Sequence, residues 1–244
     1  MSRFCRIHMK TPCLILLALV TLLASHSAQA AAGRTCRIVF LDRPENAPKS
    51  LHLFDGVTSQ EVELPSMNLS PSYKLAPDVT QLKLLISKVG DPKEVPADAP
   101  SVDIPSGYTD FLLLVLSDPD NKISPVKMEA VNLVSDHFKV GQTLWSNRTD
   151  KTIQGKLGDQ ALSLEPESSK IVDAPVSENG VATSGYYSAS FTYQIQDQGA
   201  FEPITEQQWW HDAKSRHLGF IVNAGGKLPK IYFYRDFRDP APSE

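Results

Sequence analysis

The sequence predicts an all-β protein, and three features carry that reading. Behind an apolar N-terminal segment, the chain is a succession of short β-branched or aromatic runs separated by Pro, Gly, Asn and Asp, the punctuation of strands rather than helices. Several runs alternate: Leu51 and Leu53 flank His52, and Val62 and Leu64 are set against Glu61 and Glu63, so each strand has one dry and one wet face. Turn pairs such as Asp55-Gly56 and Gly158-Asp159 fall between the runs.

In the first half the expected strands are 35–41, 51–54, 61–64, 72–75, 81–87, 110–116 and 126–131. Seven strands in about 100 residues fit an immunoglobulin-like β-sandwich. Residues 111–116 are apolar on both faces, which predicts a central strand covered on both sides. Between 89 and 107 stand Pro92, Pro96, Pro100 and Pro105 without periodicity, so an extended surface connection is expected there. The second half offers 143–146, 152–157, 161–164, 170–172, 185–196, 206–211, 218–223 and 230–237, the last pair joined by a Gly-rich turn at 224–227. Thr205-Glu206-Gln207-Gln208 also matches a helix capping box, with a short helix as the alternative at that point. The polar segment 135–141 divides the chain into a signal segment 1–30, a first sandwich 31–136 and a second 137–244. Val39 to Asn46 echoes Val115 to Asn121, a likeness too short to establish a repeat.

The N-terminus has the three zones of a cleavable export signal. Arg3, Arg6 and Lys10 supply positive charge, 13–24 is apolar apart from Thr21, and Ala28-Gln29-Ala30 offers small residues for cleavage after Ala30. The apolar run is shorter than the roughly 20 residues a bilayer span needs, so a membrane-spanning protein is not expected. The only cysteine near the cleavage site, Cys36, follows Gly33-Arg34-Thr35, and the Arg disfavours a lipid anchor. The expected destination is the periplasm or the extracellular space.

Removing residues 1–30 takes away three basic residues and no acidic one, so 24 Lys+Arg against 28 Asp+Glu become 21 against 28, a net charge of −7. That balance disfavours nucleic acid and anionic lipid as partners. Cys5 and Cys13 leave with the signal, and Cys36 remains alone in an apolar run. An internal disulfide is then impossible, a packed core must supply the stability, and Cys36 is expected to be buried.

No catalytic motif stands out. His52, His137, His211 and His217 lack metal-ligand spacing, and no cysteine pair completes a zinc site, so neither metal nor other cofactor is expected. His211 and His217 could meet across a turn, but exposed hairpin histidines are the simpler expectation. Asp118-Pro119-Asp120-Asn121 is oxygen-rich but lacks the glycine and distant Glu of a calcium loop. There is no G-x-S-x-G elbow, and Asp236 and Asp239 fall at an end expected to fray. Asn147-Arg148-Thr149 and Asn68-Leu69-Ser70 are glycosylation acceptors in a host that glycosylates, the first reading more simply as a turn between strands.

The aromatics are the candidate binding residues. On a strand, Trp209 and Trp210 must point to opposite faces, as must Tyr186 and Tyr187, while Tyr232 and Tyr234 share one face and Ile231 and Phe233 the other. Exposed Trp and Tyr suit stacking on a sugar ring or a protein interface, which singles out Trp209, Trp210, Tyr232 and Tyr234.

The signal, the opening strand with its Pro/Asn turn, and Asn147-Arg148-Thr149 followed by Lys156-Leu157-Gly158-Asp159 resemble exported bacterial immunoglobulin-like β-sandwich proteins of uncharacterised function. The resemblance covers the chain loosely and brings no functional residues with it. The expected protein is a non-catalytic exported sandwich that binds a partner or belongs to a cell-envelope assembly. The alternatives are a carbohydrate-binding module and a hydrolase built on a carboxylate pair that leaves no sequence signature.

Overall fold

The alternating runs form strands throughout residues 33–134, 136–195, 198–223 and 228–237, which the computed structural model describes. The expected signal segment, the turn at 224–227 and Asp239 lie outside the described residues. In chain order the strands are β1 (Arg34–Phe40), β2 (Ser50–Phe54), β3 (Ser59–Glu63), β4 (Tyr73–Leu75), β5 (Gln81–Leu85), β6 (Ser101–Asp103), β7 (Asp110–Ser117), β8 (Val126–Asn132), β9 (Thr143–Arg148), β10 (Lys151–Leu157), β11 (Gln160–Leu164), β12 (Ser169–Val172), β13 (Ser177–Glu178), β14 (Val181–Ala182), β15 (Gly185–Ile195), β16 (Gln198–His211), β17 (Arg216–Asn223) and β18 (Pro229–Asp236). Among the described residues no α-helix occurs, and so none long and apolar enough to cross a membrane.

Among the described residues four four-stranded sheets result: sheet I (β3-β2-β5-β6), sheet II (β4-β1-β7-β8), sheet III (β12-β9-β17-β18) and sheet IV (β11-β10-β15-β16), with β13–β14 a separate hairpin. Three apolar cores give their stacking. Leu53, Leu82 and Leu84 of sheet I meet Ile38, Phe111 and Leu113 of sheet II. Val39, Leu112 and Leu114 on the other face of sheet II meet Leu144, Leu218 and Phe220 of sheet III. Trp145 and Ile221 on the far face of sheet III meet Ile153, Leu162 and Phe191 of sheet IV. Sheets II and III are therefore covered on both faces, and β7 divides its apolar side chains between two cores, as its unbroken hydrophobicity predicts. Each of these fully buried side chains contributes about 1.5–3 kcal/mol. Cys36 lies in the first core, and burial, with the Asp110 carboxylate nearby, pushes its thiol up to about 12.

The second half of the chain repeats the strand order of the first and inserts the β13–β14 hairpin between the equivalents of β4 and β5. In sheet II, β1 runs parallel to β7 and antiparallel to β4, while β7 and β8 are antiparallel. In sheet III, β9 runs parallel to β17 and antiparallel to β12, while β17 and β18 are antiparallel. Sheets I and IV share one all-antiparallel order. The short likeness between 39–46 and 115–121 is a different matter, since it joins the ends of β1 and β7, parallel neighbours within one sheet.

Equivalent sites in the two halves trade volume. Cys36 pairs with Phe111 across β1 and β7, whereas Trp145 pairs with Gly219 across β9 and β17. A Cβ on Gly219 would lie 2.3 Å from the Trp145 ring, so the glycine makes room for the indole. Gly219→Ala is expected to destabilise by about 2–3 kcal/mol through overpacking, read as a lowered urea midpoint. Combining it with Trp145→Phe should recover part of that loss.

One alternative falls and two expectations change. The expected strand at 206–211 stands and its helix alternative falls: β16 begins at Gln198 and pairs with β15, which sets the half-buried Trp209 against the core. Tertiary packing of that period-2 pattern outweighs the local cap signal. The proline-rich connection is not wholly irregular, because it holds a 3₁₀ turn at Pro92–Glu94 and the short strand β6. The prolines flank β6 rather than enter it, leaving its amides free to pair with β5. Part of this connection folds over Phe54 and Leu85. Asp236 is not frayed; it is fully buried at the end of β18.

Candidate functional site

The hairpin β15–β16 is the largest departure from the repeat. Its strands have 11 and 14 residues, where the equivalent β5 and β6 have five and three. The pairing register sets Tyr187 opposite Trp209 and Tyr186 opposite Trp210. Because successive side chains alternate, one pair faces the core and the other faces out.

Inside, the Trp209 ring lies 5.8 Å from Trp145, 5.6 Å from Phe191 and 5.0 Å from Phe233, and Tyr187 is buried beside it. Outside, Tyr186 is 71% and Trp210 43% exposed, their rings 5.0 Å apart at 72°. Such an edge-to-face pair leaves ring faces open to a ligand.

The rest of this outer face is polar. Ser188 stands opposite Gln208, and Ser190 lies between Lys156 on β10 and Glu206 on β16. The Gln208 side-chain amide donates to Ser188 Oγ at 2.6 Å. Lys156, Asp159, Ser188, Ser190 and Glu206 line a cleft of about 340 Å³. From the Tyr186–Trp210 row to the Ser190–Glu206 row is four residues, about 13 Å along the strands. Asp159 and Glu206 bring two carboxylates to the cleft.

The four aromatic candidates do not share one surface. Trp210 is exposed on the outer face, while Trp209 belongs to the core between sheets III and IV. Tyr234 is buried between sheets II and III and donates its hydroxyl to the Ser66 carbonyl at 3.1 Å. Tyr232 packs on the same core and donates to Asp42 at 2.7 Å; burial and that carboxylate both push its phenol up. Trp209 and Tyr232 do come together on the walls of a second cleft of about 320 Å³. Tyr186 is the exposed partner that the sequence did not single out, and its signal was its register opposite Trp210.

The turn motifs find structural roles. Asp118 and Asn121 accept backbone N–H groups of Asp120, Ile123 and Ser124, closing their own loop. Asn68 is exposed. Asn147 is fully buried with its side chain bonded to neighbouring chain segments, so it serves the turn rather than a glycan. Among the described residues no three His, Cys, Asp or Glu side chains are grouped to hold a metal ion.

His211 and His217 meet, but as a buried pair rather than exposed hairpin residues. They approach from the ends of β16 and β17 with rings 5.0 Å apart, and His217 stacks on Phe233. Burial first, then His211 and Arg235, lowers His217 to about 4 against the opposing effect of Asp212. A histidine whose folded pKa lies below its unfolded value makes the unfolded chain the better proton binder between the two. Stability is therefore expected to fall as pH drops from about 6.5 to 4, by about 2–3 kcal/mol. Urea unfolding at several pH values measures this. His217→Leu should flatten the dependence.

The chain matches no protein-family model and no curated protein.

Proposed function

We propose that this protein is exported behind a signal cleaved after Ala30 and acts by binding in the bacterial cell envelope, without catalysis. The two halves are read as tandem immunoglobulin-like sandwich domains, 31–136 and 137–244; their repeated sheet order supports this. They pack through the core that Val39, Leu112 and Leu114 build with Leu144, Leu218 and Phe220.

One observation carries the binding role. Two large aromatic rings stand exposed, in register, on the strands by which the second half outgrows the first. Exposed aromatics at a polar surface favour recognition over packing.

Expression of the full chain in a bacterium, with fractionation and N-terminal sequencing, tests export. A mature chain beginning at residue 31 outside the cytoplasm is expected, and an unprocessed cytoplasmic chain overturns it. Co-sedimentation with washed cell envelopes tests binding. The mature chain should pellet, and a Tyr186→Ala/Trp210→Ala double variant should stay in the supernatant. Equal pelleting of both removes this face from the function.

A further inference from the structure

We propose that the outer face of sheet IV binds an uncharged polysaccharide chain, the Tyr186–Trp210 rings stacking on one sugar and the Ser188, Ser190 and Gln208 rows bonding the next. The proposal rests on the binding role above and names its ligand.

The chemistry of the face selects this ligand over others. A sugar ring presents an apolar C–H face to an aromatic ring and hydroxyls at its rim, so it needs stacking beside mixed donors and acceptors. Sheet IV offers both: an edge-to-face ring pair and, along the same strands, hydroxyl and amide side chains. The about 13 Å between the aromatic row and the Ser190–Glu206 row suits a chain of sugars rather than a single ring. The cleft of about 340 Å³ at its end gives room for one sugar to sink between Lys156, Asp159 and Glu206.

Charge excludes the acidic alternatives. The cleft carries one cation against two carboxylates, and cleavage after Ala30 leaves the chain at −7. An anionic polymer meets repulsion at both scales.

Area argues against a protein partner. A standard interface buries about 800 Å² on each side, more than half of it apolar. Two part-exposed rings among hydroxyls, amides and charges supply a few hundred Å² of apolar surface at most. That suffices to stack a sugar and falls short of an interface core.

The equivalent hairpin of the first half makes the contrast. Its outward positions carry Gln81 and Lys83 on β5 and Ser101 and Asp103 on β6, with no aromatic ring.

Affinity electrophoresis of the purified mature chain through gels containing mixed-linkage β-glucan, hydroxyethylcellulose, glycol chitin or polygalacturonate tests the proposal. Retardation by at least one of the uncharged polymers is expected, with none by polygalacturonate. Trp210→Ala and Tyr186→Ala should each weaken binding roughly tenfold, in line with the loss of an aromatic stacking contact. Gln208→Ala should weaken it less. Both rings are exposed, and an unchanged urea midpoint will show that these variants remain folded.

Trp210-dependent binding to envelopes without retardation by any uncharged polymer overturns the polysaccharide and leaves the binding role standing. Loss of both overturns both. Selective retardation by polygalacturonate overturns the uncharged ligand. Release of reducing ends during incubation overturns the non-catalytic reading while keeping the polysaccharide.

Discussion

Replacing Asp236 with Ala is expected to cost about 3–5 kcal/mol, because it breaks a buried ion pair and leaves its partner uncompensated. Its carboxylate is fully buried and accepts from Arg37 Nη1 at 3.0 Å and from Arg216 Nε at 2.9 Å. Arg216 is itself buried; it also bonds the Leu133 and Phe138 carbonyls, lies over the Phe138 ring and approaches Asp110 at 3.5 Å. Removing the carboxylate leaves a guanidinium in the interior without its main counter-charge. The attraction within such a network does little more than offset the desolvation of its members, but deleting one member exposes the full desolvation cost of the rest. Arg37 belongs to β1 and Asp236 to β18, so the network ties the two halves of the chain together. Asp236→Ala should lower the urea midpoint sharply and separate the unfolding of the halves into two phases. Arg37→Ala, which removes a part-exposed member, should cost about 1 kcal/mol. An unfolding free energy for Asp236→Ala within about 1 kcal/mol of the parent would assign the network no role in joining the halves.

Much of the fold was legible because strand periodicity is local. The alternation around His52 placed β2, the double-sided hydrophobicity of 111–116 placed β7 at the centre, and the parity of Trp209 and Trp210 separated a core-packed ring from an exposed one. What remained hidden depends on contacts between distant segments. The repeat left no echo because its halves conserve topology while exchanging volume, Cys36 with Phe111 in one and Trp145 with Gly219 in the other. β6 escaped notice because three residues between prolines show no period. Parity says that two neighbours face opposite ways but not which face is dry, so Tyr186 could not be paired with Trp210 before the register was known. The burial of His211 and His217 has the same origin: the two close one end of a core that strands from two sheets build.

Asn147 is the second position where a large loss is expected, and here the cost comes from hydrogen bonds rather than charge. Its side-chain amide nitrogen donates to the carbonyls of Lys151, Glu165 and, more weakly, Leu164, at 2.7, 2.9 and 3.3 Å. Its oxygen accepts from the Thr149 N–H and hydroxyl at 3.1 and 2.8 Å. One side chain thereby fastens the turn from β9 to β10 and the end of β11. Asn147→Ala strips a donor from three carbonyls, that of Leu164 in a buried bond, and an acceptor from the buried Thr149, and each buried orphan costs about 1–3 kcal/mol. A net loss of about 3–4 kcal/mol is expected, since relaxation of the turn restores part of the bonding. Asn147→Asp separates the two halves of this function: a carboxylate still accepts from Thr149 but cannot donate to the three carbonyls and adds a buried charge. It should therefore be at least as damaging as alanine, whereas Thr149→Val, which removes only the hydroxyl, should cost about 1 kcal/mol. Equilibrium unfolding of the three variants orders them. An Asn147→Asp chain as stable as the parent would mean that the donated bonds contribute nothing and that the turn is held by its backbone alone.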